Sequence, residues 1–325
     1  MLKDELKDIL KYVLRKSERD RIRQLGDENK IIKVHQSLKP NNGRIYIIRR
    51  LNKMVGTFSD YIVFLRAIEF AISQGGIPII DRKTVKNIFT PADSNINTWE
   101  YFFEQPYNVD LDHIDNNMDV YVINCGANLY PASLLNCNNQ DMIDYWRMVA
   151  HKYIRLTKEM DALVDSEYEK LLKGKRTLGV SIREGYQKAS DIKSSVIGGH
   201  PIQATIDFMI EEVKRKLNAW NLEQVFFTCQ TKETVERFSS VFGDKAVFVD
   251  KYRPVYEKLP EGKMLKKREG SKAVINNERK YITEIALLAR CTSLICCHNS
   301  GSDAAFLMSD GYEHFICLDV GKTYS

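Results

Sequence analysis

The chain has 325 residues, too many for one ordinary core and enough for two domains. Hydrophobic residues make up 44% and charged residues 28%, a balance that excludes disorder over most of the chain. The net charge of +5 is too mild to imply a nucleic-acid partner, and no apolar run approaches the roughly 20 residues that span a bilayer.

The N-terminal stretch MLKDELKDILKYVLRK carries acids throughout and no apolar h-region. It does not read as a secretory signal, so a cytoplasmic protein is expected. Leu6, Ile9, Leu10, Val13 and Leu14 fall at helical spacing within residues 2–23. They predict a helix packed on the body, with peripheral contact at the inner membrane face as the weaker alternative. Residues 44–49 predict a strand, 60–73 a helix ended by Gln74-Gly75-Gly76, 77–80 a strand closed by Asp81, and 120–124 a short buried strand. Residues 141–172 read as a long helical stretch broken near Asp161, and Lys173-Gly174-Lys175 as a helix end and hinge.

The second half alternates more cleanly. Strands are predicted at 177–182, 224–228, 246–249, 293–297 and 314–318, and helices at 202–217, 232–242, 278–288 and 302–308. Such alternation argues for parallel sheets covered on both faces by helices, in two domains, 1–173 and 174–325. Seven cysteines, mostly inside apolar runs, argue for reduced thiols, and the lack of any CxxC pair argues against a zinc site.

Ligands of open α/β sheets bind beyond the carboxyl ends of the strands, so residues just after strands are the candidates. Arg183 follows the 177–182 strand, with a permanent charge and a planar donor fork suited to phosphate. The alternative there is a salt bridge with Glu184. The run CCHNSGSD places Asn299, Ser300, Gly301 and Ser302 at a strand-to-helix turn. Gly301 would let a backbone approach a ligand, and the following helix offers free N–H groups to phosphate; an ordinary cap by Ser300 or Ser302 fits equally. LNKMVGTFSD, with Gly56 and Ser59 at its turn, is a weaker candidate. There is no GxGxxG and no GxxxxGK[ST], which disfavours a dinucleotide enzyme and a P-loop NTPase. His200-Pro201 opens a helix, where His200 either meets a ligand or orients the preceding loop. A Cys297–His298 catalytic pair is improbable, because adjacent strand residues point to opposite faces. The basic run Lys263-Met-Leu-Lys-Lys-Arg268 reads as a solvated loop or an anion-attracting one.

Four segments in order resemble the α1,6-fucosyltransferase family and its relatives, the nodulation fucosyltransferases and protein O-fucosyltransferases: LNKMVGTFSDYIVFLRAIEFAISQGGIPIID, NTWEYFFEQP, GVSIREGYQKASDIKSSVIGGHPI and ITEIALLARCTSLICCHNS. The resemblance covers most of residues 44–106 and 177–310. It implies two Rossmann-like domains facing across a cleft, of the GT-B type, with the acceptor on the N-terminal side and the nucleotide sugar on the C-terminal side. It implies an inverting, metal-independent glycosyltransferase that uses a GDP-sugar, typically GDP-fucose, as substrate and needs no cofactor. The acceptor it implies is a glycan, free or lipid-linked.

In that resemblance Arg183 matches the essential arginine, Ser300 a phosphate-side serine and Glu284 an acidic residue facing the guanine. Gly56, Ser181, His200, Gln230, Asn299, Gly301 and Ser302 complete the expected donor site. Three positions depart from the family: Glu184 stands where a second basic residue is common, Ser181 where a histidine is, and Gln230 where an acid is. Glu184, Asp191 and Glu104 are the candidate general bases. Trp99, with Phe102 and Phe103, is expected to floor an acceptor sugar beside Glu104 or to lie in the core. A non-catalytic nucleotide-sugar or glycan-binding protein on the same scaffold is the rival reading.

Overall fold

The computed structural model describes residues 31–37, 43–53, 55–91, 95–114, 117–126, 134, 135, 137–184, 202–253 and 272–320. The N-terminal helix expected over residues 2–23, Asp191, His200 and the Lys263–Arg268 run lie outside the described residues. The chain divides into two compact units, Met1–Ala132 with Met148–Thr157, and Ser133–Arg147 with Lys158–Ser325.

Unit 1 contains strands β1 (Ile31–His35), β2 (Arg44–Arg50), β3 (Ile77–Ile80) and β4 (Asp119–Cys125), and helix α1 (Thr57–Ser73). The sheet order is β1-β4-β2-β3, with β2, β3 and β4 parallel and β1 antiparallel to β4 at the edge. That antiparallel edge differs from the parallel sheet expected. One face of the sheet buries Ile45, Ile47, Ile79, Val120 and Val122. On the other, Tyr46 meets Phe70 of α1 edge-on, with ring centroids 6.1 Å apart.

Helices α2 (Gln140–Tyr153) and α3 (Lys158–Leu171) replace the single stretch expected there. The break comes at Ile154–Thr157, not near Asp161. There the chain pairs with residues 102–104: Leu156 bridges Phe103, Glu104 N–H donates to Arg155 O (2.9 Å), and Thr157 N–H donates to Phe102 O (3.1 Å). These backbone groups bond across the gap and so cannot continue a helix.

The expected boundary at 173/174 also shifts, because α3 belongs to unit 2. It is tied there by ion pairs from Asp165 to Arg290 (2.7 Å) and from Glu159 to Arg279 (3.0 Å), and by the Gln224 amide donating to Leu171 O (2.8 Å).

Unit 2 carries β5 (Thr177–Ser181), α4 (Ile206–Ala219), β6 (Gln224–Thr228), α5 (Lys232–Phe242), β7 (Ala246–Val247), α6 (Lys272–Ala289), β8 (Ser293–Cys297), α7 (Ser300–Met308) and β9 (His314–Leu318). The sheet is wholly parallel in the order β7-β6-β5-β8-β9. Every residue of β5, β6 and β8 is buried, as expected of strands covered on both faces. Met209, Ile210, Val213 and Leu217 form the buried face of α4 and pack with Leu178, Val180, Val225, Phe227 and Ile295 of the sheet. After β7 the chain crosses to the far side of β5, so the carboxyl ends of β5 and β8 form a topological switch point.

In unit 1 the buried core closes over charge. Arg82, only 1% exposed, donates from Nε and Nη2 to the Asp60 carboxylate, engaging both of its oxygens, and from Nη1 to Arg50 O (2.9 Å). Arg50 pairs with the same carboxylate at 3.6 Å and donates to Ser59 Oγ at 2.8 Å. Breaking a buried pair costs about 3–5 kcal/mol, because it strands the remaining charge. Asp60→Ala is therefore expected to lower the urea-unfolding free energy by roughly that amount, and an unchanged midpoint would refute the role given to Asp60.

Candidate functional site

Arg183 sits two residues beyond the end of β5 and is half-buried. The backbone leading to it is pinned, since Ile182 N–H donates to Thr228 O (3.0 Å) after the β5–β6 ladder has ended. The next residue clamps it further. The Glu184 carboxylate accepts from Gln230 N–H and from Thr231 Oγ1 (2.7 Å), and Thr231 caps α5. Glu184 bonds the turn between β6 and α5, with an acceptor bond on each of its oxygens.

Across the switch point stands the N-terminus of α7. Asn299, not a serine, is its cap: Oδ1 accepts from Ser302 N–H (3.0 Å), and Nδ2 donates to Cys297 O (3.1 Å). Ser302 is fully buried, and its Oγ bonds Cys297 O (2.9 Å) and lies 3.1 Å from Ser181 Oγ. The two serines join the tips of β8 and β5. Ser300 is half-buried as the first residue of α7. The reason for glycine at 301 differs from the one expected. A Cβ there would lie 2.9 Å from Tyr281 Oη and 3.1 Å from Ile285 Cδ1, so the close approach is to α6.

His298 joins β8 to this cap, and its Nδ1 lies 3.5 Å from Oδ2 of Asp303 in the first turn of α7. Sequence reasoning considered His298 only as a partner for Cys297. The Cys297 thiol instead accepts a bond from Ala204 N–H (3.2 Å), and burial pushes its pKa up.

At the β6–β7 end, Glu284 of α6 is 0% exposed between two cations. One oxygen accepts from Lys251 Nζ (2.6 Å) and the other from the Arg253 guanidinium. Burial pushes this carboxyl up from its ordinary range, and the two cations pull it back. Arg253 also donates to Val249 O (3.1 Å) and Cys229 O (3.3 Å), so it ties the ends of two strands. The buried Gln230 side-chain oxygen accepts no hydrogen bond among the described residues. Lys251 and Arg253 were not singled out in the sequence. They follow β7, which ends at Val247, and belong to no local motif.

Arg183, Glu184, Ser181, Gln230, Glu284, Asn299, Ser300, Gly301 and Ser302 therefore all belong to the carboxyl edge of the unit 2 sheet. Gly56, Trp99 and Glu104 belong to unit 1. Gly56 is exposed before α1 at φ −75°, with nothing within 4 Å of an added Cβ, so neither backbone nor space demands glycine. Trp99 is 3% exposed, stacked on Phe103 at 4.4 Å and edge-on to Phe64 at 5.5 Å. Its ring is core and offers no floor to a sugar. Glu104 is half-buried and paired with Arg155 at 2.9 Å. All seven cysteines are free. Among the described residues, no group of three or more His, Cys, Asp or Glu side chains is placed to hold a metal ion, and no helix is long and apolar enough to cross a membrane.

No protein-family model matches the chain, and no curated protein does. Solved structures do. The fucosyltransferase NodZ from Bradyrhizobium superposes with a TM-score of 0.52 at 16% identity, over 86% of this chain and 96% of that one. NodZ α1,6-fucosyltransferase co-crystallised with GDP gives 0.50 at 16% identity, over 83% and 93%. POFUT1 in complex with GDP-fucose gives 0.50 at 9% identity, over 83% and 97%. The chain shares their fold.

Glu284→Gln is expected to strand two desolvated cations. It should lower the unfolding free energy by about 3–5 kcal/mol. Chemical denaturation checks this, and a loss below about 1 kcal/mol would show that the pair is not load-carrying in the fold.

Proposed function

We propose that this chain is an inverting glycosyltransferase that moves a sugar, most specifically fucose, from a GDP-sugar to a glycan acceptor without a metal ion. Unit 2 holds the donor and unit 1 serves the acceptor. The observation that carries the reading is Arg183: a half-buried arginine just past a strand tip at the switch point. The fold shared with NodZ co-crystallised with GDP and with POFUT1 in complex with GDP-fucose supports it.

The chemistry follows from charge. The bond between the anomeric carbon and a β-phosphate oxygen breaks, and its electron pair stays on the phosphate. The acceptor hydroxyl forms the new bond on the opposite face of the sugar and gives up its proton to a base. Negative charge on the leaving diphosphate grows through the transition state, so a fixed guanidinium fork and aligned helix N–H groups bind that state more tightly than the ground state. Glu184 and Glu104 remain candidates for the base, together with Asp191. Glu184 would have to act while bonded to the β6–α5 turn, and Glu104 while paired with Arg155.

The closed Glu284 site and the doubly bonded Glu184 favour the second reading, a protein that binds nucleotide sugar or glycan without turnover. Incubation with GDP-fucose, other nucleotide sugars and a panel of glycan acceptors, with and without chelator, separates the two by release of GDP. The transferase reading expects chelator-insensitive release that falls by about 100-fold or more in Arg183→Ala. Arg183→Lys should also be strongly impaired, because a point charge cannot reproduce the fork. Tight GDP binding without release on any acceptor would establish the second reading, and turnover indifferent to Arg183→Ala would discard the first.

A further inference from the structure

The β5–β8 ladder pairs Leu178 with Ser293 and runs to Ser181 opposite Cys296. The ladder ends there, with Arg183 two residues past Ser181 on one tip and His298 two residues past Cys296 on the neighbouring one. The Ser181–Ser302 contact holds the two tips at this spacing. His298 immediately precedes Asn299, the residue that caps α7. Its side chain is 25% exposed, whereas Asp303, 3.5 Å from Nδ1, is 7% exposed. A buried carboxylate thus addresses one ring nitrogen of a partly exposed imidazole at the mouth of a helix N-terminus.

We infer that His298, in its doubly protonated form, is a second cationic group on the leaving diphosphate, beside Arg183. The inference rests on the donor-site reading above. Glu184, the residue after Arg183, is an acid bonded to the β6–α5 turn and supplies no positive charge to the tip. His298 supplies it from the neighbouring strand. A carboxylate 3.5 Å from Nδ1 and a phosphate at Nε2 are both negative, and the imidazolium is the form of the ring that attracts both. The ring keeps both protons during transfer; the electron pair of the broken bond stays on phosphate.

The charged groups around the ring are consistent with this. Asp303 faces it from α7, and Arg183 follows the tip of the neighbouring strand β5. Beyond β9, Asp319 shares Cys317 with Asp303 as an electrostatic neighbour. Among the described residues, the segment before α4 brings the neutral Gln203, whose amide donates to His298 O (3.0 Å), and α6 brings the Tyr281 hydroxyl up to Gly301.

Calorimetric titration of the full chain with GDP and with guanosine, together with GDP release from GDP-fucose, tests the inference. His298→Gln should weaken GDP binding roughly ten- to a hundredfold, the value of a hydrogen bond to a charged group, and leave guanosine binding unchanged. Turnover should fall in parallel. His298→Lys keeps a cation and should retain most of the GDP affinity. Equal GDP affinity in wild type and His298→Gln overturns the inference. So does an equal loss in the Gln and Lys variants when both unfold at the wild-type midpoint. GDP binding that depends on Arg183 and not on His298 defeats this inference alone, whereas a wild-type chain that binds neither GDP nor GDP-fucose defeats the donor-site reading and this inference together.

Discussion

Strand β5 is paired in parallel on both sides, to β6 and to β8, and its tip therefore ends level with theirs. Everything argued for unit 2 depends on that constraint. A parallel ladder sends all carboxyl ends to one edge, and the reversal of strand order at β5 puts the switch point between the tips of β5 and β8. The side chains that reach this edge come from the last strand positions and the first helical turn. Ser181, Asn299 and Ser302 are spent on fixing the edge itself: one caps a helix, and the other two join neighbouring strands. Arg183 and His298 lie just past the tips of the same two strands.

The polar groups around this edge divide by what occupies them. Glu184 and Glu284 are both acids near the strand tips, and both are taken up by the protein: Glu184 by the β6–α5 turn, Glu284 by Lys251 and Arg253. A buried carboxylate with a cation on each oxygen can still accept from a ligand through its remaining lone pairs, but only where the ligand reaches past two nearly buried cations. Residue type and place in a motif do not reveal this. It follows from partners that lie 31 and 33 residues away along the chain.

What the sequence made legible follows the same logic. The strands at 224–228 and 293–297 agree with the expectation end to end, because a strand buried on both faces is an unbroken apolar run bounded by polar turns, and so does the partly buried edge strand at 314–318. Helix starts were less legible. The start of α4 lies at Ile206 and not at 202, because Thr205 takes the cap and the apolar residues before it only prolong the pattern. The break between α2 and α3 depends on pairing with residues 102–104, a tertiary contact that no helical periodicity carries. Strand β1 escaped notice because IIKVH is short, and only its antiparallel partner β4 makes it a strand. At the site, Arg183, Ser302 and Asn299 were legible from their places after strands. Lys251, Arg253 and the pairing of His298 with Asp303 were not, since none belongs to a local motif.

Unit 1 shows by contrast why position at a strand tip does not suffice. It too has parallel strands, a reversal of order between β2 and β4, and arginines at the corresponding edge. Those arginines are committed inward: Arg49 bonds Asn124 Oδ1 at 2.8 Å, and Arg50 and Arg82 share Asp60. All three are at most 6% exposed, so the guanidiniums serve as structural cross-links between strand ends and the first turns of α1. In unit 2 the arginine at the tip is half-buried, and the acid beside it is turned to another loop. The same residue type at the same topological place is thus buried as a cross-link in one unit and half-buried in the other. The difference lies in which carboxylate the fold brings within reach: Asp60 is delivered to the unit 1 arginines by the first turn of α1, whereas the first turn of α7 delivers Asp303 to His298.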